Sequence, residues 1–148
     1  MSDPAPAYRD RQTAPVAPEG EHVLASFAPD RARYVRDHLT LAAIGGVVVV
    51  AVLLALGKSD QLWAGIVGVL AALTLRGAWL YPDVMAMRWL LTDRALIGPG
   101  QARFELSRIT RLRALLGDVQ VTTAGGRKTL IKHLADPQAV IARIEGAQ

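Results

Sequence analysis

Two apolar runs separated by three residues constrain this chain more than any other feature. Residues 39–57 carry no charged side chain, and a second run, 61–81, follows after only Lys58, Ser59 and Asp60. A bilayer core of about 30 Å needs roughly 20 apolar residues in a helix, and no water there satisfies free backbone groups. A soluble fold would have to enclose both helices on all sides, and a chain of 148 residues rarely provides that much cover. The spacing therefore predicts a helical hairpin that crosses a membrane and returns, with transmembrane helices at 39–57 and 61–81. A mixed-charge, Pro/Ala-rich opening precedes the first run. It lacks the basic stretch of a cleaved signal, so the hairpin is expected to stay in the mature protein.

Arginines near the span ends set the expected orientation. Arg31, Arg33 and Arg36 flank the first run and Arg76, Arg88 and Arg94 the end of the second, whereas the turn between them holds only Lys58. By the positive-inside rule both termini face the cytoplasm. Trp63 on one side, and Tyr34, Trp79, Tyr81 and Trp89 on the other, are expected at the headgroup level. Arg76, the one charge inside a span, lies roughly 22 Å beyond Gln61 at about 1.5 Å per residue. Its stem is therefore expected to snorkel to the interface, making Arg76, Trp79 and Tyr81 interfacial anchors. Ala64, Gly68 and Ala72 recur every four residues, as do Ala51 and Ala55, a spacing that lets helix backbones approach closely. They are expected to pack the hairpin on itself or, alternatively, against another membrane protein or a second copy. Pro82 is read as the end of the second helix, and no acidic residue, His or Asn marks a substrate path through the spans.

The flanks divide simply. Residues 1–20 hold four of the eight prolines and are read as a disordered tail. Residues 21–38 form a juxtamembrane segment, with a short strand at 22–27 and a helix start at Pro29 and Asp30. Beyond Arg88 short strands alternate with turns. Strands at 89–91 and 95–97 flank Thr92, Asp93 and Arg94, and Gly98, Pro99 and Gly100 make the next reversal. A strand begins at 103–106, but Leu106, Ile109 and Leu112 are spaced by three, which predicts a bulge or an irregular stretch. Val119, Val121 and Thr123 alternate with polar residues, Gly125 and Gly126 suit a tight turn, and 127–132 return as the partner strand. Asp136 as N-cap and Pro137 at the first helical position open a final helix with Val140, Ile141 and Ile144 on one face. The expected fold class is thus a membrane α-helical hairpin plus a small α+β domain at 88–148, an antiparallel sheet with a C-terminal helix.

The order of these pieces resembles a known family. Two spans lead directly into Trp89-Leu90-Leu91-Thr92-Asp93-Arg94-Ala95-Leu96-Ile97. There follow Leu106-Ser107-Arg108-Ile109, Gly117-Asp118-Val119-Gln120-Val121-Thr122 and Leu134-Ala135-Asp136-Pro137. The whole resembles the bacterial PH-like membrane proteins, which include the domain of unknown function 304, over roughly residues 22–146. The resemblance implies a PH-like fold held at the cytoplasmic face of a bacterial inner membrane. It implies no catalysis and no cofactor; some relatives resemble assembly factors of membrane complexes, and others accompany envelope-stress functions. The chain departs from the pattern in being short, with about 60 residues after Trp89 and trimmed loops around Gly98 and Leu115. Residues 22–27 are a candidate for a missing strand.

Enzymatic chemistry finds little support. His22, His38 and His133 are scattered, no cluster has metal-ligand spacing, and no nucleophile sits in a recognisable elbow. From residue 88 onward ten Lys or Arg face five Asp or Glu. Arg108, Arg111, Arg113, Arg127, Lys128 and Lys132 form the candidate surface for anionic lipid or a partner, at about 1 kcal/mol per well-placed cation near a charged leaflet. Exposed aromatics interleaved with these cations, as nucleic-acid binders use, are missing. The expected partners are membrane lipids and another membrane protein or complex, and not nucleic acid. The alternative is an oligomeric component of a transport or pore-forming system.

Overall fold

The computed structural model describes residues 14–148. They form two units, one of residues 32–82 and one built from the chain on both sides of it, up to Arg31 and from Asp83 onward.

The first unit is a pair of helices, α1 (Arg31–Ala55) and α2 (Leu62–Ala86). Both are long and apolar enough to cross a membrane. Val47, Leu75 and Trp79 stand exposed along them, the reverse of a soluble core helix. Gly57, at φ +70°, ends α1 as a left-handed cap. The Lys58 N–H donates to the Leu53 carbonyl at 2.8 Å and the Gly57 N–H to the Leu54 carbonyl at 3.0 Å, the paired bonds that close a helix C-terminus. Pro82 does not end α2, which continues to Ala86. A proline there forfeits one backbone bond, to the Ala78 carbonyl, without forbidding helical φ in the residues that follow. The Arg88 guanidinium closes the helix by donating to the Met85 and Met87 carbonyls.

The seam between the helices is narrow and set by glycines. A Cβ on Gly65 would lie 2.7 Å from Leu53 and 2.8 Å from Val49, and one on Gly45 would lie 3.1 Å from Val69. At the other end a Cβ on Gly77 would reach His38 at 3.0 Å. Beside it the buried Tyr34 hydroxyl donates to the Gly77 carbonyl at 2.7 Å, and Tyr81 packs edge-on against the Tyr34 ring. The contacts run antiparallel along Gly65, Val69, Leu73 and Gly77. Ala64, Gly68 and Ala72 lie one position away, exposed, and a Cβ on Gly68 would meet nothing within 4 Å. Ala51 and Ala55 are exposed as well. The expectation that this stripe packs the hairpin on itself is therefore corrected: on a helix apolar all round, composition does not reveal which row faces the partner.

The second unit holds seven strands and the closing helix. Strands β1 (Val23–Phe27), β2 (Trp89–Thr92), β3 (Ala95–Ile97) and β4 (Arg103–Glu105) form one antiparallel sheet in chain order. Strands β5 (Ile109–Leu115), β6 (Asp118–Thr123) and β7 (Lys128–Ile131) form a second, and α3 (Pro137–Ala147) follows. The three-residue spacing between Leu106 and Ile109 corresponds to a helical turn at Leu106–Arg108, followed by a register shift between Ile109 and Arg111. Asp136 caps α3 by accepting from the Ala139 N–H at 3.1 Å. Phe27, Trp89, Leu91, Leu96, Phe104, Val121, Ile131, Val140 and Ile144 belong to one continuous core.

Trp89 corrects another expectation, since it is buried in this core and not displayed at an interface. Gly98 makes room for it: a Cβ there would sit 2.7 Å from the indole ring, so only glycine lets β3's exit run across its face. Tyr34, buried in the helix seam, is likewise no exposed anchor. The tail expected over residues 1–20 lies in part outside the described residues. From Ala14 on, it runs along the Pro99–Gln101 turn, where the Gln101 amide donates to the Ala14 carbonyl and accepts from the Val16 N–H, with Pro15 buried.

Candidate functional site

The α+β unit is stitched together across the insertion point of the helix pair. β1 lies before α1 and β2 lies after α2, yet Ala25 pairs with Leu91, Ser26 with Leu90 and Phe27 with Trp89. The turn after β2 fastens the chain ahead of β1. The His22 N–H donates to the Asp93 carboxylate at 3.0 Å, and the Asp93 N–H donates to the His22 carbonyl at 3.0 Å. The buried Thr92 hydroxyl donates to Glu21 at 2.7 Å and accepts from the Ala95 N–H at 3.0 Å. Arg103 reaches the other oxygen of Glu21. These hydrogen bonds from Arg103 and Thr92 hold the Glu21 carboxyl below the usual carboxylate range. On the far side of β1 the Asp30 N–H donates to the His133 carbonyl at 2.7 Å. Thr92-Asp93-Arg94 thus has a local purpose: it locks the strand that leads into α1 against the strand that leaves α2.

The six basic residues singled out from the sequence separate into two groups. Cross-strand pairing aligns Arg111 with Thr122 and Thr122 with Lys128, then Arg113 with Gln120 and Gln120 with Leu130. Side chains two apart share a face, so Arg111, Arg113 and Lys128 stand on the outer face of the second sheet while Val119, Val121 and Ile131 fill the core. Lys132 is exposed just beyond β7. Asp118, the acid on this face, is engaged in accepting from the His133 N–H at 2.9 Å.

Arg108 and Arg127 lie elsewhere. With Arg103, Phe104, Glu105, Thr123 and Gly125 they line a cleft of about 350 Å³. The Arg127 guanidinium rests over the Phe104 ring at 4.7 Å from its centroid, a cation–π contact. Arg103 was not among the expected site residues. Nothing local could identify it, because its place in the cleft depends on β4 meeting the turn between β6 and β7. Such a cleft suits an anionic group of headgroup or carboxylate size, and the outer face suits an extended anionic surface.

Of the expected helix anchors, Arg76 and Trp79 are exposed and Tyr81 is half-buried against Tyr34. Among the described residues no three His, Asp or Glu side chains converge in a metal-binding arrangement. The chain matches no protein-family model, no curated protein and no solved structure.

Proposed function

We propose that this chain is a non-enzymatic, membrane-anchored binding module of a bacterial inner membrane. Its helix pair spans the bilayer, and its PH-like α+β domain meets lipid headgroups or a membrane-protein partner at the cytoplasmic face, as a scaffold, assembly or stress factor. The pairing of β1 with β2 carries this reading. A hairpin inserted between two neighbouring strands of one sheet needs both helix ends on the same side, as two passes across a bilayer require. Only residues 28–30 separate β1 from α1, and only Met87 and Arg88 separate α2 from β2, so the domain is held within a few residues of the helices. The cytoplasmic side follows from the arginine flanks. Support for the PH-like reading is the run of antiparallel strands, bent at Leu106–Arg108 into two sheets and closed by a C-terminal helix.

A second reading, an oligomeric component of a transport or pore-forming system, draws on the outward stripe of Ala64, Gly68 and Ala72, which offers a close-approach surface to another helix. Crosslinking the tagged protein in its native membrane, followed by mass spectrometry, separates the two. A defined membrane complex that is lost when the chain is truncated at Leu96 supports the binding module. Crosslinks only between copies, unchanged by truncation, favour the oligomer and contradict the first reading.

A further inference from the structure

The hairpin joining β5 to β6 is built against the rules that stability alone would set. Leu116 occupies its turn at φ +51°, followed by Gly117 at φ +90°. A left-handed residue beside glycine in a two-residue turn is ordinarily Asn, Asp or Gly, and leucine there bears the full Cβ penalty. The strain is not offset by burial, because Leu116 is 89% exposed and Leu115 beside it is 48% exposed. The turn is nevertheless firmly held: the Gly117 carbonyl accepts from the Leu134 N–H at 3.3 Å, and Asp118 accepts from the His133 N–H. A rigid turn presents two leucines, and the cations nearest them on the same face are Arg113 and Arg111, two and four residues before Leu115, with Lys132 just past β7.

We propose that the Leu115–Leu116 tip inserts into the headgroup and upper acyl region of an anionic lipid leaflet, with Arg111, Arg113 and Lys132 as its electrostatic collar. Charge complementarity selects this occupant. Two exposed leucines alone would suit any apolar surface, but apolar residues leading and cations just behind them match the layering of an anionic bilayer. Tethering helps: a domain joined to its anchor by a few residues samples the bilayer surface at high effective concentration, so two leucines suffice where a free domain would need more. The inference rests on the reading that the helices anchor this domain at a bilayer, and it assigns one edge of the domain to the lipid.

The chain contains no cysteine, so a single Leu116→Cys variant of the full chain takes one environment-sensitive fluorophore. Nanodiscs expose both bilayer faces, which makes the readout independent of orientation. In discs with phosphatidylglycerol the emission shifts to the blue, and lipid carrying a shallow acyl spin label quenches it. A label at Gln138, exposed on α3, provides the reference. Arg111→Glu with Arg113→Glu, or purely zwitterionic discs, lower the inserted population, by about fivefold per arginine removed. The unlabelled Leu116→Asn variant, which suits the positive φ, holds or raises the thermal midpoint and, with the label moved to Leu115→Cys, loses the quenching. A tip label that stays in water in every disc overturns the proposal, as does a blue shift without lipid quenching, which would mean a protein covers the tip. Failure of the chain to co-migrate with the discs at all would overturn the anchor reading and this inference with it. A water-exposed label on a co-migrating chain overturns the tip alone.

Discussion

The helix pair and the α+β unit are both rich in aliphatic side chains but dispose of them in opposite ways. Leu75 on α2 is 72% exposed and Leu96 on β3 is 0% exposed. In the α+β unit aliphatic groups leave water by meeting one another and Trp89 and Phe104; in the helix pair many of them line the outside, while glycines let Val49, Leu53, Val69 and Leu73 form a thin seam and one tyrosine adds a hydrogen bond. On the proposed reading, with the helix pair in a bilayer, the difference is that of two solvents. Where the surroundings are as apolar as leucine, burying leucine drives nothing, and close backbone approach with a few hydrogen bonds holds helices together. Where the surroundings are water, the same residue contributes by being covered.

The comparison breaks most visibly at the two leucines. Leu96→Ala should destabilise the α+β unit by about 2–5 kcal/mol, whereas Leu75→Ala should leave its unfolding transition unmoved, as read by thermal denaturation in detergent micelles. An equal effect of both would mean that α2 is a core helix. Next in size, Gly65→Leu forces a side chain into the space of Val49 and Leu53 and should loosen the helix pair by about 1–3 kcal/mol. Gly68→Leu, one turn further on the open face, should change it by less than about 0.5 kcal/mol. Disulfide trapping between engineered cysteines on the two helices reads both. If Gly68 proved the sensitive position, the seam would be misplaced by one residue.

A smaller effect sharpens the polar part of the seam. Tyr34→Phe removes the hydroxyl that donates to the Gly77 carbonyl and should cost about 1 kcal/mol, seen as weaker trapping between residues near 34 and 77. The smallest effect is pH-dependent and belongs to the other unit. Arg103 and Thr92 lower the Glu21 pKa in the folded state, so the folded protein binds fewer protons than the unfolded chain as acid is added. The stabilisation from Glu21 is complete above the unfolded carboxyl value, near 4.5, and is lost as pH falls through the lower folded value. Glu21→Gln should flatten that part of the acid profile of the thermal midpoint, and an unchanged acid limb would contradict the pairing.

What could be read from sequence follows the range of the physics involved. Two long apolar helices, a turn at Gly125–Gly126 and the Asp136 cap are local signals and are present, but α1 starts earlier and α2 ends later than the apolar runs, and only Gly126 of the two glycines takes a positive φ. The seam was missed because α1 and α2 are apolar on every face, leaving no period to choose between the Ala64 row and the Gly65 row. Trp89 was misplaced because tryptophan suits a headgroup layer and a core equally well, and the deciding residue, Gly98, acts only once β2 and β3 pair. The basic set was legible as a composition, but its division into an outer face and a cleft depends on strand register and on Arg103 arriving from another sheet. Leu116 gave no warning at all, since an exposed leucine at positive φ violates the preferences that sequence reading relies on.

The most direct test of the account is sidedness. Single cysteines at Ser59, between the helices, and at Ser107, in the α+β unit, label independently because the chain has no cysteine of its own. With an impermeant maleimide on intact cells, the account predicts that the Ser59→Cys protein is modified from outside and the Ser107→Cys protein only after the inner membrane is opened. Modification of both from the same side, or of both only after opening, would contradict a hairpin that crosses the bilayer and returns.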